Sequence, residues 1–129
     1  MGKIKIVAIA DLKPHEDVIP ENLEKVKNKI YKRGYLINPI IVDQDNLIIL
    51  DGHHRAMALS ILGYKKIPAY LVDYHSREIK VLQRRPEIPI SKEIIIKKAL
   101  AGEIFPCKTS KHLIPQRPQR INVPLGKLV

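Results

Sequence analysis

The sequence is poor in aromatic residues and nearly free of cysteine. Tryptophan is absent, and aromatic residues make up 5% of the 129 residues. The core must therefore be built from Ile, Leu and Val, which a hydrophobic content of 45% allows. The single cysteine, Cys107, cannot form an internal disulfide, which agrees with a reducing compartment. No apolar run reaches transmembrane length and the start resembles no cleaved signal, so we expect a cytoplasmic protein without a membrane partner.

The charge is strongly positive and unevenly distributed. The formal net charge is +10, and most of it lies in the second half of the chain. Residues 1–74 hold 11 Lys/Arg against 9 Asp/Glu, whereas residues 75–129 hold 12 against 4. This excess is typical of a solvated basic face, of a nucleic-acid surface, or of an electrostatic funnel for a small anion such as a nucleotide. Charge alone does not choose among the three.

Apolar runs alternate with segments of helical period. Strands are predicted at residues 3–9, in a hairpin formed by 39–42 and 47–50, and at 67–72. Helices are predicted from Pro20 to about Arg33, over residues 56–62, and over residues 92–101 behind Ser91. Residues 79–82 fit a strand or a helix equally well. From Pro106 onward the chain is rich in proline, and we expect an extended arm that lies over the body.

The most informative stretch is the polar turn Asp51-Gly52-His53-His54-Arg55, between an apolar strand and a helix. A helix start offers free N–H groups and the positive end of the dipole, which together suit a phosphate. In this interpretation Arg55 clamps phosphate oxygens, the backbone and both imidazoles donate, and Asp51 holds Mg²⁺ or orients a donor. The alternatives are an ordinary polar surface turn and a structural zinc site, which no HxxxH or CxxC spacing supports.

The order strand, Glu-containing loop, helix, hairpin, Asp-Gly-His-His-Arg, helix, strand resembles the ParB/sulfiredoxin fold. Chromosome-partitioning ParB proteins typically have Gly-Glu-Arg-Arg at the central turn, and sulfiredoxins have Gly-Cys-His-Arg. His53 stands where sulfiredoxin has its reactive cysteine, which argues against thiol chemistry. The Asp-Gly-His-His-Arg form is most similar to archaeal free L-serine kinases, which make O-phosphoserine. The resemblance implies an α+β fold, with a small mixed sheet, flanking helices, a short C-terminal helix and an extended tail.

Two further segments carry the same resemblance. Lys13-Pro14-His15-Glu16 is similar to the kinase segment with the catalytic Glu, which implies that role for Glu16. The run Lys108-Thr109-Ser110-Lys111-His112 is similar to the family's Lys-Thr-Thr-Arg-His. That match implies that the serine substrate is bound by four residues: Thr109, Ser110, Lys111 and His112.

The chain also departs from the family pattern. Ser110-Lys111 replaces Thr-Arg, and Arg84 replaces an aromatic residue. Residues 75–96 form only a short bridge where relatives insert an extra region. We therefore expect one compact kinase domain over residues 1–129, with a core at 1–75 and a helix and Pro-rich arm at 76–129 that complete the site.

The resemblance implies a kinase that transfers phosphate from ATP or ADP to free L-serine with Mg²⁺ and Glu16 as general base. The sequence does not choose between ATP and ADP, and it does not give the oligomeric state. Two other functions stay open. One is a ParB-like nucleic-acid binder or nuclease, although few aromatics and no recognisable helix-turn-helix domain make nucleic acid an unlikely partner. The other is a nucleotide-binding regulator without catalysis.

Overall fold

Three helices are interspersed among eight strands in the computed structural model, which describes residues 2–129. The three helices are Pro20–Arg33 (α1), His53–Ile61 (α2) and Lys92–Leu100 (α3). The strands are Lys3–Ala8 (β1), Tyr35–Leu36 (β2), Ile40–Asp43 (β3), Ile49–Asp51 (β4), Lys66–Val72 (β5), Lys80–Gln83 (β6), Ser110–Leu113 (β7) and Val123–Pro124 (β8). The predicted α+β class is confirmed, and residues 80–82 of the ambiguous segment lie in strand β6.

A four-stranded mixed sheet with the order β1-β5-β3-β4 forms the centre of the fold. Strand β5 is antiparallel to β1 and parallel to β3, and β3 forms the predicted hairpin with β4. The buried carboxylate of Asp43 closes this hairpin, because its oxygens accept from the amides of Asn46 at 3.0 Å and Ile48 at 2.6 Å. The hairpin therefore delivers β4, and Asp51 at its end, to one edge of the sheet.

The interior strand β3 is buried on both of its faces. Along β3, Ile40 and Val42 belong to a cluster with α1 and α2, whereas Ile41 belongs to a second cluster with α3. All three side chains are fully buried. A strand that is apolar on both faces is typical of the sheet interior, and β3 lies between β5 and β4. Helices α1 and α2 thus pack with Leu125 and Leu128 on one face of β3, and α3 packs with Phe105 and Ile114 on the other.

Local signals set the ends of α1 and the start of α3 as the sequence predicts, whereas α2 begins at His53, three residues before the predicted start at Ala56, because Gly52 takes the N-cap position. Helix α1 starts at Pro20, whose fixed φ suits a first helical position, and ends at Gly34 with φ of 83°. The Ser91 hydroxyl caps α3 by accepting from the amide of Ile94 at 3.1 Å. No helix within residues 2–129 is long and apolar enough to cross a membrane.

The C-terminal arm is extended and attached to the body at two places. Strand β7 pairs with β6, and β8 pairs with β2 behind α1. Between these strands, the amide of Arg120 donates to the side chain of Asn38 at 2.9 Å. The arm therefore runs along the same side of the molecule as the α2 start.

Candidate functional site

The polar turn lies at the junction of β4 and α2, as the sequence predicts. Gly52 precedes the helix with φ of 111°, a conformation that glycine adopts without strain. A Cβ at this position would lie 2.8 Å from the Cβ of Ile40, so the helix start packs directly on the central strand. The turn is held where a phosphate can reach the first amides of α2.

Both histidines of the turn bind the loop that precedes α1. His53 Nε2 accepts from the amide of His15 at 3.2 Å, and His54 Nε2 accepts from the amide of Ile19 at 3.0 Å. Burial lowers the pKa of His53 to about 3 and also lowers the pKa of His54. Both rings are therefore neutral at pH 7, and their contacts fasten the loop that carries Glu16 onto the α2 start.

Arg55 turns back onto the protein. Its Nη1 donates to the carbonyls of Asn38 and Pro39 at 3.0 and 2.8 Å, and its Nη2 lies 3.3 Å from Asp51 Oδ2. The expected bidentate clamp on phosphate would require these donors to change partners. In the structure Arg55 instead orders the 38–39 loop and orients Asp51.

Asp51 also receives Arg117 from the C-terminal arm, whose Nη2 donates to the same Oδ2. Burial disfavours ionisation of Asp51. The hydrogen bond from Arg117 and the nearby charges of Arg55 and Arg117 outweigh burial, and the pKa of Asp51 is lowered. Asp51 is therefore an anion between two guanidinium groups at the edge of the turn.

Glu16 lies on the opposite side of the turn, in a segment that forms a parallel bridge with Phe105. Its Oε1 accepts from the amide of Thr109 at 2.6 Å, and its Oε2 accepts from the hydroxyl of Ser110 at 3.2 Å. Burial raises the pKa of Glu16, although these two hydrogen bonds and the charge of Arg84 oppose the rise. A carboxylate whose pKa is raised is a better proton acceptor than an exposed one.

A buried layer of polar side chains supports Glu16. His15 Nε2 lies 3.3 Å from the Ser110 hydroxyl, and the Tyr74 hydroxyl lies 2.7 Å from His112 Nε2. Burial lowers the pKa of His15 to about 4 and that of His112 to about 3, and it raises the pKa of Tyr74. All these groups are uncharged at pH 7, so the layer positions the site without adding charge.

The tail residues expected to bind serine divide into two groups. Thr109, Ser110 and His112 are buried, and Lys111 is exposed. The alternation follows from the β7 strand, where successive side chains point to opposite faces. Ser110, Lys111 and His112 line the cavity beside Glu16, whereas the Thr109 amide contacts Glu16 itself. The structure thus brings the tail, Glu16 and the polar turn into one site.

A cavity of about 910 Å³ occupies the space between these elements. Three acidic residues line it: Glu16, Asp17 and Asp51. Eight basic residues surround them: Lys25, Lys29, Arg33, Arg55, Arg84, Lys108, Lys111 and Arg117. Such an excess of cations around a concave site attracts an anionic ligand of nucleotide size.

Sequence reasoning missed the contributions of Arg117 and of α1. Arg117 lies 66 residues from Asp51 and carries no local motif. The cations of α1 recur every four residues at Lys25, Lys29 and Arg33, a spacing that places them on one helix face. This four-residue spacing is visible in the sequence and could have identified the cationic face of α1.

A metal ion would find few protein ligands here. Within residues 2–129 no group of three or more His, Cys, Asp and Glu side chains could hold a metal ion. Mg²⁺ in phosphoryl-transfer sites commonly uses one or two carboxylates, water and the substrate phosphates. Asp51 fits that requirement as a single carboxylate beside an anion site, provided that Arg117 gives up its contact.

Comparison with known families and sequences relates the chain to two named groups of proteins. The model of the ParB N-terminal domain matches residues 1–83. An ATP-dependent L-serine kinase of Staphylothermus marinus is 37% identical over 87 residues, which is 64% of this chain and 34% of the relative. A ParB-like protein of Sulfolobus acidocaldarius is 42% identical over 83 residues, covering 61% of this chain and 39% of the relative. The chain thus spans about a third of the length of the curated relatives it matches.

Solved structures extend the similarity of the fold to the whole chain. A free serine kinase in complex with AMP superposes with a TM-score of 0.88 at 17% identity, covering 98% of this chain and 93% of that one. At this identity the similarity establishes the fold.

Proposed function

This chain belongs to the ParB N-terminal domain family, and we propose that it is a small-molecule kinase that phosphorylates free L-serine with a nucleotide donor. The observation that carries the proposal is the convergence of Glu16, the polar turn and β7 on one cation-lined cavity. The serine kinase names of relatives at 33–37% identity support the acceptor.

Glu16 is the proposed general base. In the reaction, the serine Oγ forms a bond to the terminal phosphorus as the bond between that phosphorus and the bridging oxygen breaks. The proton of the serine hydroxyl passes to the Glu16 carboxylate, and the nucleotide leaves with one phosphate fewer. Ser110 and the Thr109 amide hold both carboxylate oxygens. They thereby fix the direction in which the free lone pairs of Glu16 point.

The polar turn is the proposed phosphate site. Phosphoryl transfer depends mainly on positioning and on neutralisation of charge on the transferred group. The first amides of α2, at Gly52 to His54, would position the phosphate, and the neighbouring cations would neutralise its charge. Arg55 orders the turn through its contacts with the 38–39 loop. Asp51 would hold Mg²⁺ together with donor phosphates, and the ion would neutralise phosphate charge when bound.

The tail is the proposed serine site. Ser110, Lys111 and His112 line the cavity, and the buried Thr109 orders the same segment. Lys111 is the cation among them and would pair with the serine carboxylate as a point charge. The neutral ring of His112, held by Tyr74, would offer a hydrogen bond.

The direct test mixes the protein with Mg²⁺, ATP or ADP and the common amino acids, and detects phosphorylated amino acids by mass. We expect O-phosphoserine alone. Glu16→Gln should lower kcat about 100- to 10,000-fold, which is the usual contribution of a positioned general base. Glu78→Gln is the matched control, since Glu78 is exposed and does not line the cavity.

Two results would overturn the proposal. Full turnover in Glu16→Gln would remove the catalytic role of that residue. Salt-dependent DNA binding without phosphorylation of any amino acid would favour the nucleic-acid function instead.

A further inference from the structure

Arg84 directly follows β6 and lies beside the proposed base, although neither the polar turn nor the tail includes it. Its amide donates to the carbonyl of Thr109 at 3.0 Å, and the amide of Thr109 donates to Glu16 Oε1 at 2.6 Å. A single residue of the arm thus links Arg84 to Glu16. Position 84 is also one at which the chain departs from the family pattern, so the resemblance gives no role for this arginine.

The pairing of β6 with β7 turns the side chain of Arg84 toward the cavity. Leu82 is paired with Lys111, and Arg84 continues the same ladder through its bond to Thr109. Side chains two residues apart on a strand lie on the same face. Arg84 and Lys111 therefore project from one face of the β6-β7 ribbon, and both line the cavity that contains Glu16.

The guanidinium group of Arg84 has no partner within residues 2–129, unlike those of the three other arginines that line the cavity. Arg55 donates to two backbone carbonyls and lies against Asp51, and Arg117 donates to Asp51. The guanidinium carbon of Arg33 lies over an aromatic ring, 5.9 Å from its centroid. Arg84 is exposed and can bind a ligand without breaking an existing side-chain contact.

The charge of Arg84 opposes the function of Glu16 as a base. Burial raises the pKa of Glu16, whereas the charge of Arg84 lowers it. A lower pKa makes the carboxylate a weaker proton acceptor. A cation at this place therefore helps the reaction only if it neutralises an anion that binds or forms next to the base.

The transferred phosphoryl group is the anion that comes nearest to the base. The proton that Glu16 accepts leaves the same serine oxygen that bonds to phosphorus, so the base and the phosphoryl group are neighbours on that oxygen. The serine carboxylate is two carbon atoms further away and already has Lys111 as its proposed partner. Charge on the transferred group is spread over three equatorial oxygens, and a guanidinium group can donate to two of them at once.

We propose that Arg84 is a catalytic residue whose guanidinium group binds the transferred phosphoryl group as it passes from the nucleotide to the serine oxygen. The inference rests on the proposed kinase function and adds a cation on the acceptor side of the reaction. Arg84 gives up no proton, because Glu16 accepts the serine proton and the nucleotide leaves with the bridging oxygen. The same contact then holds the phosphate of O-phosphoserine until the product dissociates.

The kinetic test compares Arg84→Ala and Arg84→Lys with Arg77→Ala, a loss of equal charge at an exposed position outside the cavity. Arg84→Ala should lower kcat about 100- to 1,000-fold, the usual effect of removing one group that stabilises charge in the transition state. The KM for serine should stay within about two-fold. Arg84→Lys should recover part of kcat, because an ammonium group keeps the charge but lacks the planar fork.

The pH profile gives a readout that a purely structural role would not change. Loss of the cation raises the pKa of Glu16, so the acid limit of kcat/KM should move to higher pH in Arg84→Ala. Arg77→Ala should leave the limit where it is in the unmutated protein.

Binding of the product separates contact with the phosphate from contact with the rest of serine. In calorimetry, Arg84→Ala should lose about ten-fold or more of the affinity for O-phosphoserine and keep the affinity for serine. An unchanged kcat with a raised KM for serine, or equal losses of affinity for the two amino acids, would overturn the inference. If the unmutated protein forms no phosphoserine with any nucleotide, the proposed function is wrong, and the two affinities still decide whether Arg84 binds phosphate.

Discussion

The backbone amide of Thr109 donates to Glu16 Oε1 at 2.6 Å, although the two residues lie 93 positions apart. This contact joins the first loop of the chain to the C-terminal arm. It leaves the second oxygen of Glu16 to Ser110, at 3.2 Å. The segment that orients the proposed base is therefore also the proposed serine site. Glu16 is correctly oriented only when the arm is ordered.

Activity should have an acid limit set by Glu16. Burial raises the pKa of this carboxyl above its usual value of 4.5, and only the ionised form can accept a proton. Turnover should therefore fall as the pH drops through the raised pKa. In Ser110→Ala one hydrogen bond to the carboxylate is lost, so the limit should move to higher pH.

The measurement is the pH profile of kcat/KM for Ser110→Ala, with Ser60→Ala as the control. Ser60 is exposed on α2 and has no contact with Glu16. A profile of Ser110→Ala that coincides with the unmutated one would mean that another group sets the acid limit.

Folding stability should fall between about pH 6.5 and pH 4 because of three buried histidines. Burial lowers the pKa of His15 to about 4 and those of His53 and His112 to about 3. Their pKa in the unfolded chain is near 6.5, so the unfolded state binds more protons across this window. Their stabilising contribution is complete above pH 6.5 and is lost as the pH falls. The raised pKa of Glu16 opposes this loss, because the folded state binds the Glu16 proton more tightly than the unfolded state does. Glu16 contributes one proton, whereas the three histidines contribute three.

Thermal unfolding at pH 7 and at pH 5 checks this prediction. The difference in Tm should shrink in His112→Gln, because one titrating group is removed. His75→Gln, an exposed histidine, should leave the difference unchanged. Equal pH dependence in all three proteins would contradict the assignment.

Much of the site could be predicted from the sequence because its chemistry is concentrated in short motifs. Asp51 to Arg55 occupy one strand-to-helix junction, and Glu16 lies in a short loop before a helix whose start is marked by Pro20. The sequence did not predict which groups those residues contact. His53 and His54 accept from backbone amides 38 and 35 residues away, and such distant partners leave no local pattern. The role of Arg55 changed for the same reason, since its partners include carbonyls of the 38–39 loop.

Arg117 should matter to donor binding although no motif identifies it. It donates to Asp51 from the arm, so in the bound state it can exchange that carboxylate for a phosphate while Asp51 turns to Mg²⁺. Arg117→Ala should raise the donor KM several-fold. Arg117→Lys should recover only part of the loss, because an ammonium group lacks the planar fork.

The check is a set of donor KM values measured over a series of Mg²⁺ concentrations. Arg120→Ala is the control, since Arg120 contacts Asn38 through its backbone amide. A donor KM in Arg117→Ala equal to that of Arg120→Ala at every Mg²⁺ concentration would show that the contact with Asp51 is only structural.

Gly52 should be the most sensitive glycine of the turn region. In Gly52→Ala the new Cβ must adopt φ of 111° and also meet the side chain of Ile40 on the central strand. A strained φ costs about 1–3 kcal/mol, and overpacking against a buried strand adds about as much again. Gly63→Ala is a matched control, because Gly63 has φ of 91° but nothing within 4 Å of the new Cβ. Urea unfolding should show a larger loss of stability for Gly52→Ala than for Gly63→Ala. Equal losses of stability in the two variants would mean that the start of α2 shifts to accommodate the new Cβ beside Ile40. The close packing of Gly52 on β3 would then not be what holds the phosphate site in place.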